Sequence, residues 1–322
     1  MSVAVIVINF RTPAYTIDCL ESLARVRDEA PGLHVWLVEN ASGDDSLPRL
    51  REYLAGPGRA DWITLLPQEK NLGFAGGNNA AQRLILAAPQ APPYVLLLNS
   101  DTLVHPGCLR AALERMRRTP DLGVLSCMLR NRDGSVQNVC RRLPTPLRET
   151  VRVLGLPYLF RRAFAWADLE DKGWDREATA RDVEWVGGAF MLIPTALLRQ
   201  IGGLDESFFF YGEDIEFCHR IWKGGHRVFF DPAGSITHFG GGSSDSAKLA
   251  DIRRRTLRWK ARLHVQRVCY GPAAAAWLRG LSTLLVRLRL LAFGLTGRRD
   301  HPDARGAVEE LDILVRGVEQ PT

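Results

Sequence analysis

The sequence predicts an α/β protein built on an open, mostly parallel sheet flanked by helices. Short Val/Ile/Leu-rich runs recur at 3–8, 34–38, 62–66 and 94–98 without strict alternation, as suits strands buried on both faces. Each run ends in polar or Gly-rich residues and is followed by a helical pattern, the crossover that parallel strands require. At 322 residues, 46% hydrophobic and 24% charged, the chain can bury one large core or two modest ones.

The first run lacks a basic segment before it and stops at Asn9, so it reads as a strand rather than a signal peptide. The second leads to Glu39-Asn40-Ala41-Ser42-Gly43-Asp44. The third leads through Asn71-Leu72-Gly73-Phe74-Ala75-Gly76-Gly77-Asn78-Asn79 into a helix, and the fourth runs into Asn99-Ser100-Asp101-Thr102. Strand-like runs at 123–129 and 136–143 flank the turn-forming Asp133-Gly134-Ser135. Residues 144–180 have no clear period and read as a variable loop or lid. A strand over 183–193, a helix from Thr195, a polar-aromatic segment over 202–225 and a strand over 227–230 follow. The last leads to His238 and the glycines 240–242. These elements divide the chain into an α/β domain over 1–246, with halves at about 1–120 and 121–246, and a helical basic extension over 247–322.

The six cysteines are scattered with no C-x-x-C pair, the pattern of reduced, packed thiols. The net charge of +6 conceals an asymmetry: residues 252–299 hold twelve Lys/Arg and no Asp or Glu, and the remainder carries 30 basic against 36 acidic residues. The pI of 9.2 therefore describes the tail. Its longest uncharged stretch is too short for the roughly 20 residues that span a bilayer. Basic helices carrying Trp and Leu suit the interface of an anionic membrane; a helical subdomain with Arg facing water is the alternative. Nucleic-acid binding would use the tail but leave the polar sheet edge without a role.

In an open parallel sheet the ligand crevice lies at the carboxyl ends of the strands. Taken singly, each polar segment there also serves as a turn or a helix cap; four at one edge point to a ligand. The Gly-rich segment at 71–79 lets backbone N–H groups approach a phosphate, yet matches neither the P-loop nor the dinucleotide fingerprint. Asp101, after the most hydrophobic run, needs a partner, and a divalent cation on a diphosphate supplies one. Glu213-Asp214 follows Phe208-Phe209-Phe210-Tyr211 and opens a helix; the pair caps that helix or supplies a general base tuned upward by desolvation. His238, at a strand end, is a structural histidine or a metal ligand on the same edge.

Together these motifs resemble glycosyltransferase family 2, the inverting enzymes of GT-A fold, in its rhamnosyltransferase-like branch. The resemblance rests on Val5-Ile6-Val7-Ile8-Asn9-Phe10, Val38-Glu39-Asn40-Ala41-Ser42, the 71–78 segment, Leu98-Asn99-Ser100-Asp101, Trp185-Val186-Gly187-Gly188-Ala189, Gly202-Gly203-Leu204-Asp205-Glu206, Phe210-Tyr211-Gly212-Glu213-Asp214 and His238, in family order over about 3–245. It implies a nucleotide-sugar half and an acceptor half in the first domain. Asn9, Thr12, Glu39 and Asn40 would form the nucleoside pocket, and Asn71, Gly73, Gly77 and Asn78 the ribose and diphosphate path. Asp101 would be the last aspartate of a D-x-D metal motif in which Asn99 replaces the first. Asp214, with Glu213, would supply the base, His238 would complete a Mg²⁺ or Mn²⁺ site, and Trp185, Gly187 and Gly188 would wall the donor and acceptor. It further implies a nucleotide-diphosphate sugar donor, dTDP-rhamnose by first preference, a glycan or polyprenyl-linked acceptor, no nucleic acid, and a peripheral place on the cytoplasmic face of the plasma membrane.

Overall fold

The computed structural model describes residues 2–171, 173–209, 211–240, 251–297 and 301–316, with backbone alone at 251–254. Phe210, the glycines 241 and 242 and the boundary expected at 246/247 lie outside the described residues. The chain forms two compact units, one of Met1–Arg141, Lys172–Phe209 and Glu213–Ala247, the other of Arg142–Asp171, Phe210–Gly212 and Lys248–Thr322.

In the first unit, β1 (Ser2–Asn9), β2 (Gly32–Glu39), β3 (Ile63–Pro67) and β4 (Tyr94–Asn99) pair in parallel in the order β3-β2-β1-β4. Their crossovers are α1 (Pro13–Arg25), α2 (Ser46–Leu54) and α3 (Gly73–Ala87). Val3 through Val7 are all buried, which is why the first run does not alternate: both faces of β1 meet protein. The chain continues through β5 (Thr102–Val104), α4 (Cys108–Arg118), β6 (Leu122–Arg130), β7 (Val136–Gln137) and β8 (Cys140–Arg141). It goes on, after two helices of the second unit, α5 (Pro146–Val153) and α6 (Leu156–Leu159), to β9 (Arg181–Asp182), β10 (Trp185–Val186), β11 (Phe190–Pro194), α7 (Thr195–Ile201), α8 (Glu213–Lys223) and β12 (Arg227–His238).

Beyond β4 the sheet runs β11-β6-β12-β5, with β11 antiparallel to β4 and β6, and β12 parallel to β6. The run at 136–143 is two short strands in different sheets, β7 on β6 and β8 on β10. The run at 183–193 likewise breaks into β10 and β11, with Gly187 and Gly188 between them, and β9 precedes it. Two features went unforeseen. Residues 102–104 form a strand, and that strand pairs with the end of β12, setting Thr102 opposite His238, which the sequence already placed at a strand end. That pairing brings the end of β12 beside the residues following β4.

Glycines decide how closely α3 approaches the sheet. A Cβ on Gly77 would lie 3.0 Å from Ile8 Cδ1 of β1, and one on Gly203 would lie 2.2 Å from Asn79 Oδ1. Asn79 uses that short approach, accepting from Leu204 N at 3.0 Å and donating to Leu204 O at 2.7 Å, and so fastens 203–206 to α3. All six cysteines are buried, and none forms a disulfide.

The second unit is helical. The α5 and α6 helices belong with α9 (Asp251–Tyr270), α10 (Pro272–Leu295) and α11 (Pro302–Val315) around a small core of Leu263, Leu278, Val286, Ala307 and Leu314. The segment read from sequence as a variable loop or lid is therefore largely helical between 146 and 159 and clusters with the tail. The cause is long-range: buried Glu149 accepts from Arg262 Nε at 2.8 Å, and Trp277 Nε1 donates to Thr150 Oγ1 at 3.0 Å. A local pattern cannot register a partner more than a hundred residues away. Among the described residues no helix is long and apolar enough to cross a membrane.

Candidate active site

The carboxyl ends of β1 and β2 are stitched together by hydrogen bonds. Asn9 is fully buried, donating to Ser42 Oγ at 3.2 Å and accepting from Thr16 Oγ1 at 2.8 Å. Ser42 N donates to Glu39 Oε1 at 2.9 Å, and Ser42 Oγ also accepts from Arg11 N at 3.0 Å. Arg11 and Ala41 hold φ of 59° and 52°, left-handed values that side-chain-bearing residues adopt at a cost. Two such residues meet one serine at the carboxyl edge of the sheet. Ser42, absent from the sequence-based site, is the residue that unites these loops.

Asn40 performs the same office toward the Gly-rich segment. Its Nδ2 donates to Asn71 Oδ1 at 3.0 Å and Gly73 O at 3.1 Å, and its Oδ1 accepts from Leu72 N at 3.0 Å. Asn71 Oδ1 also accepts from Gly73 N at 2.9 Å. Gly73 has φ +69°, and a Cβ there would meet Phe209 O at 2.9 Å, so that position requires glycine. Asn78 is buried and donates to Phe74 O one turn back at 3.0 Å, while Gly77 faces β1. Asn9, Asn40, Gly77 and Asn78 thus all help to shape these loops. Thr12 Oγ1 is buried with no hydrogen-bond partner among the described residues, as is Glu213 Oε2.

Asp101 and His238 meet through the β5–β12 pairing. His238 Nε2 lies 3.4 Å from Asp101 Oδ1 and 3.3 Å from Asn99 Nδ2. Gln137, also unforeseen, orients the imidazole. Its amide N–H groups go to His238 O and Asn131 Oδ1, each at 2.6 Å, so its Oε1 is left to accept from His238 Nδ1 at 2.8 Å. That places the ring proton on Nδ1 and turns the Nε2 lone pair toward buried Asp101. Asn99, in the place of a first aspartate, offers an amide N–H to that nitrogen. Backbone fixes the other side, with Phe239 N donating to Asp101 O at 2.9 Å.

The β10–β11 turn links this pair to the carboxylates of α8. Asn99 N donates to Ala189 O at 3.1 Å, and the neighbouring Gly188 N–H hydrogen-bonds the Asp214 carboxylate. Ile215 N donates to Asp214 Oδ1 at 2.9 Å. Asp214 Oδ2 is within 3.9 Å of where a Gly187 Cβ would stand, so glycine leaves that oxygen uncovered. Burial pushes the Asp214 carboxyl up to about 6, against the pull of those N–H donors and the Arg141 charge. Burial, and secondly the Asp214 charge, pushes Glu213 up to about 8. Trp185 pairs with Arg141 across β10 and β8, and the guanidinium lies 5.7 Å from the indole centroid. The aromatic segment does not all wall the carboxylates: Phe208 is core, and Phe209 lies over Gly73.

Asp101, His238, Asn99, Gly188 and Asp214 are therefore joined by direct or adjacent-residue contacts in one unit. Among the described residues no group of three or more His, Cys, Asp or Glu gathers as a self-sufficient metal cage. Asp101 and His238 still suit a cation that takes its remaining ligands from a phosphate-bearing partner, because a lone pair and a carboxylate oxygen face each other across 3.4 Å.

A mostly parallel sheet with stitched polar loops, an Asp–His pair and a carboxylate pair at its carboxyl edge defines the GT-A class of fold. The chain belongs to the family described as glycosyltransferase like family 2, whose model matches residues 1–261. It is 29% identical over 182 residues to an N-acetylglucosaminyl-diphospho-decaprenol L-rhamnosyltransferase of Mycobacterium tuberculosis, covering 55% of this chain and 58% of that one. It is 30% identical over 185 residues to the low-salt glycan biosynthesis hexosyltransferase Agl10 of Haloferax volcanii, covering 57% and 52%. The chain thus spans somewhat over half the length of these relatives. Among solved structures, the mannosyltransferase PcManGT of Pyrobaculum calidifontis in complex with GDP-Man and Mn²⁺ shares the fold at TM-score 0.56 and 17% identity, over 97% of this chain and 84% of that one.

Proposed function

We propose that this chain is an inverting, cation-dependent glycosyltransferase that moves a hexosyl group, L-rhamnose from dTDP-rhamnose by first preference, to a polyprenyl-linked acceptor on the cytoplasmic face of the membrane. The observation that carries the reading is the placement of the half-buried Asp214, its carboxylate hydrogen-bonded by Gly188, one residue from the backbone bond that ties Ala189 to Asn99 beside Asp101 and His238. Support for the sugar and acceptor comes from the activity for which the mycobacterial relative is named.

In this mechanism Asp214 accepts the proton of the acceptor hydroxyl as its oxygen bonds to the anomeric carbon. The bond from that carbon to the diphosphate oxygen breaks with its electron pair, and configuration inverts. Asp101 and His238 would hold Mg²⁺ or Mn²⁺, which when bound offsets the negative charge of the departing nucleoside diphosphate. The stitched ends of β1, β2 and the 71–73 loop hold the crevice in shape before donor arrives, so little ordering remains to oppose binding.

The test pairs a thermal-shift screen of nucleotide sugars in Mn²⁺ with transfer to a short-chain prenyl-diphosphate N-acetylglucosamine. A stabilising donor that yields an inverted glycoside is expected; donor binding without transfer or hydrolysis would make the chain a nucleotide-sugar binder instead. Gln137→Leu is expected to weaken Mn²⁺ binding in the presence of nucleoside diphosphate by about 10- to 100-fold, because it frees the imidazole to take the other tautomer. Calorimetry measures this, and unchanged affinity would remove Gln137 from the site.

A further inference from the structure

We propose that the second unit carries a composite docking face for an anionic lipid bilayer, built from the outer stripe of α10 and the tip at 158–160. This deepens the membrane contact inferred above for residues 252–299 and rests on that reading for its partner. It adds a segment that the sequence had assigned to a lid.

On α10, the exposed large apolar residues are Trp277, Leu284, Leu288, Leu291 and Leu295. At about 100° per residue they fall within a sector of about 60°, a stripe roughly 27 Å long. The buried Leu278, Ser282 and Val286 occupy the opposite side, against the unit's core. The stripe continues onto α5. Trp277 Nε1 donates to Thr150 Oγ1, and the exposed Leu147 and Leu154 lie one turn to either side of Thr150. Tyr158, Leu159 and Phe160 follow, exposed by 84%, 71% and 58%. Three consecutive apolar side chains so exposed are uncommon on a surface that meets only water.

Charge selects the occupant. Residues 252–299 have twelve cations and no anion, and 150–167 have Arg152, Arg161 and Arg162 and no Asp or Glu. Arg161, Arg162 and Arg287 are exposed beside the apolar residues. Apolar side chains next to unopposed guanidinium groups match an interface with acyl chains below and phosphate headgroups above. No described helix is long and apolar enough to cross a membrane, so the face lies on the bilayer rather than traversing it.

The test uses full-length protein floated with phosphatidylcholine vesicles containing phosphatidylglycerol. Wild type is expected to float with them. Y158S/L159S/F160S and, separately, L288S/L291S are expected to lower vesicle affinity about tenfold or more. Melting temperature and transfer to a soluble acceptor should stay unchanged, since these side chains are exposed and outside the active site. Equal flotation of wild type and both variants, or no flotation of wild type, would overturn the proposal. So would a dimer in sedimentation equilibrium that L288S/L291S dissociates, which gives the face to a second copy. Flotation is read without donor or acceptor, so failure of the transfer reaction leaves its outcome distinct.

Discussion

Asp214→Asn is expected to lower transfer by about 10²- to 10⁴-fold while leaving donor affinity nearly unchanged, the signature of a lost general base. The amide is isosteric and its oxygen can still accept from Ile215 N, so the start of α8 keeps its hydrogen bond. What disappears is the capacity to take a proton. Because burial raises Asp214 to about 6 and Glu213 to about 8, at neutral pH the proton of the pair resides on Glu213. The base works only when ionised, so wild-type kcat/KM should fall as pH drops through about 6 and level off above it. Glu213→Gln, which replaces a neutral acid by a neutral amide, should retain most activity at pH 7. The linked stability runs in the opposite sense. A buried carboxyl with a raised pKa favours the fold while protonated, so wild type should lose stability relative to Glu213→Gln as pH rises from about 4.5 through about 8. Near-normal turnover by Asp214→Asn, or loss with Glu213→Gln alone, would reassign the base.

The second large effect is expected at Asp101. Asp101→Asn should abolish the dependence of donor binding on Mn²⁺ and reduce kcat/KM by about 10²- to 10³-fold, since it takes away the anionic member of the proposed two-residue cation site. Its fold should survive: Asp101 accepts from Phe239 through the main-chain carbonyl, which the substitution leaves alone. Excess chelator should bring wild type to the same low rate, with recovery on adding Mn²⁺ or Mg²⁺. Calorimetry of nucleoside diphosphate with and without Mn²⁺ separates a lost cation from a disturbed crevice. Undiminished turnover in chelator would dismiss the cation altogether.

The parallel half of the sheet could be read along the chain because burial on both faces leaves a direct mark, the apolar runs of β1 and β4, while β2 shows its strand by a shorter run that ends in buried Leu37 and Val38. The polar residues after each run were equally visible, since the crevice lies where apolar character stops. Their division of labour was not. Asn9 and Asn40, expected as ligand contacts, are buried and have hydrogen bonds within the protein, to Ser42 and Thr16 and to Asn71 and Gly73, that no local pattern announces. A hydrogen-bonding residue has the same letter whether it faces substrate or protein. Gln137 and Arg141 left no motif because their importance comes from the short β7 and β8 strands, which the sequence merges into one run.

The sequence by itself determined the layered α/β class and the segregation of positive charge into the tail, and it singled out the acidic and imidazole groups proposed for the site. These follow from hydropathy and charge, which each residue carries with it. Only the tertiary structure decided that β12 runs on to set His238 against Asp101, that Gln137 selects its tautomer, and that α5 joins the basic helices through Glu149 and Arg262. Those outcomes depend on pairings between residues about 100 to 140 positions apart, and such a pairing acquires its energy only when packing brings both partners out of water together.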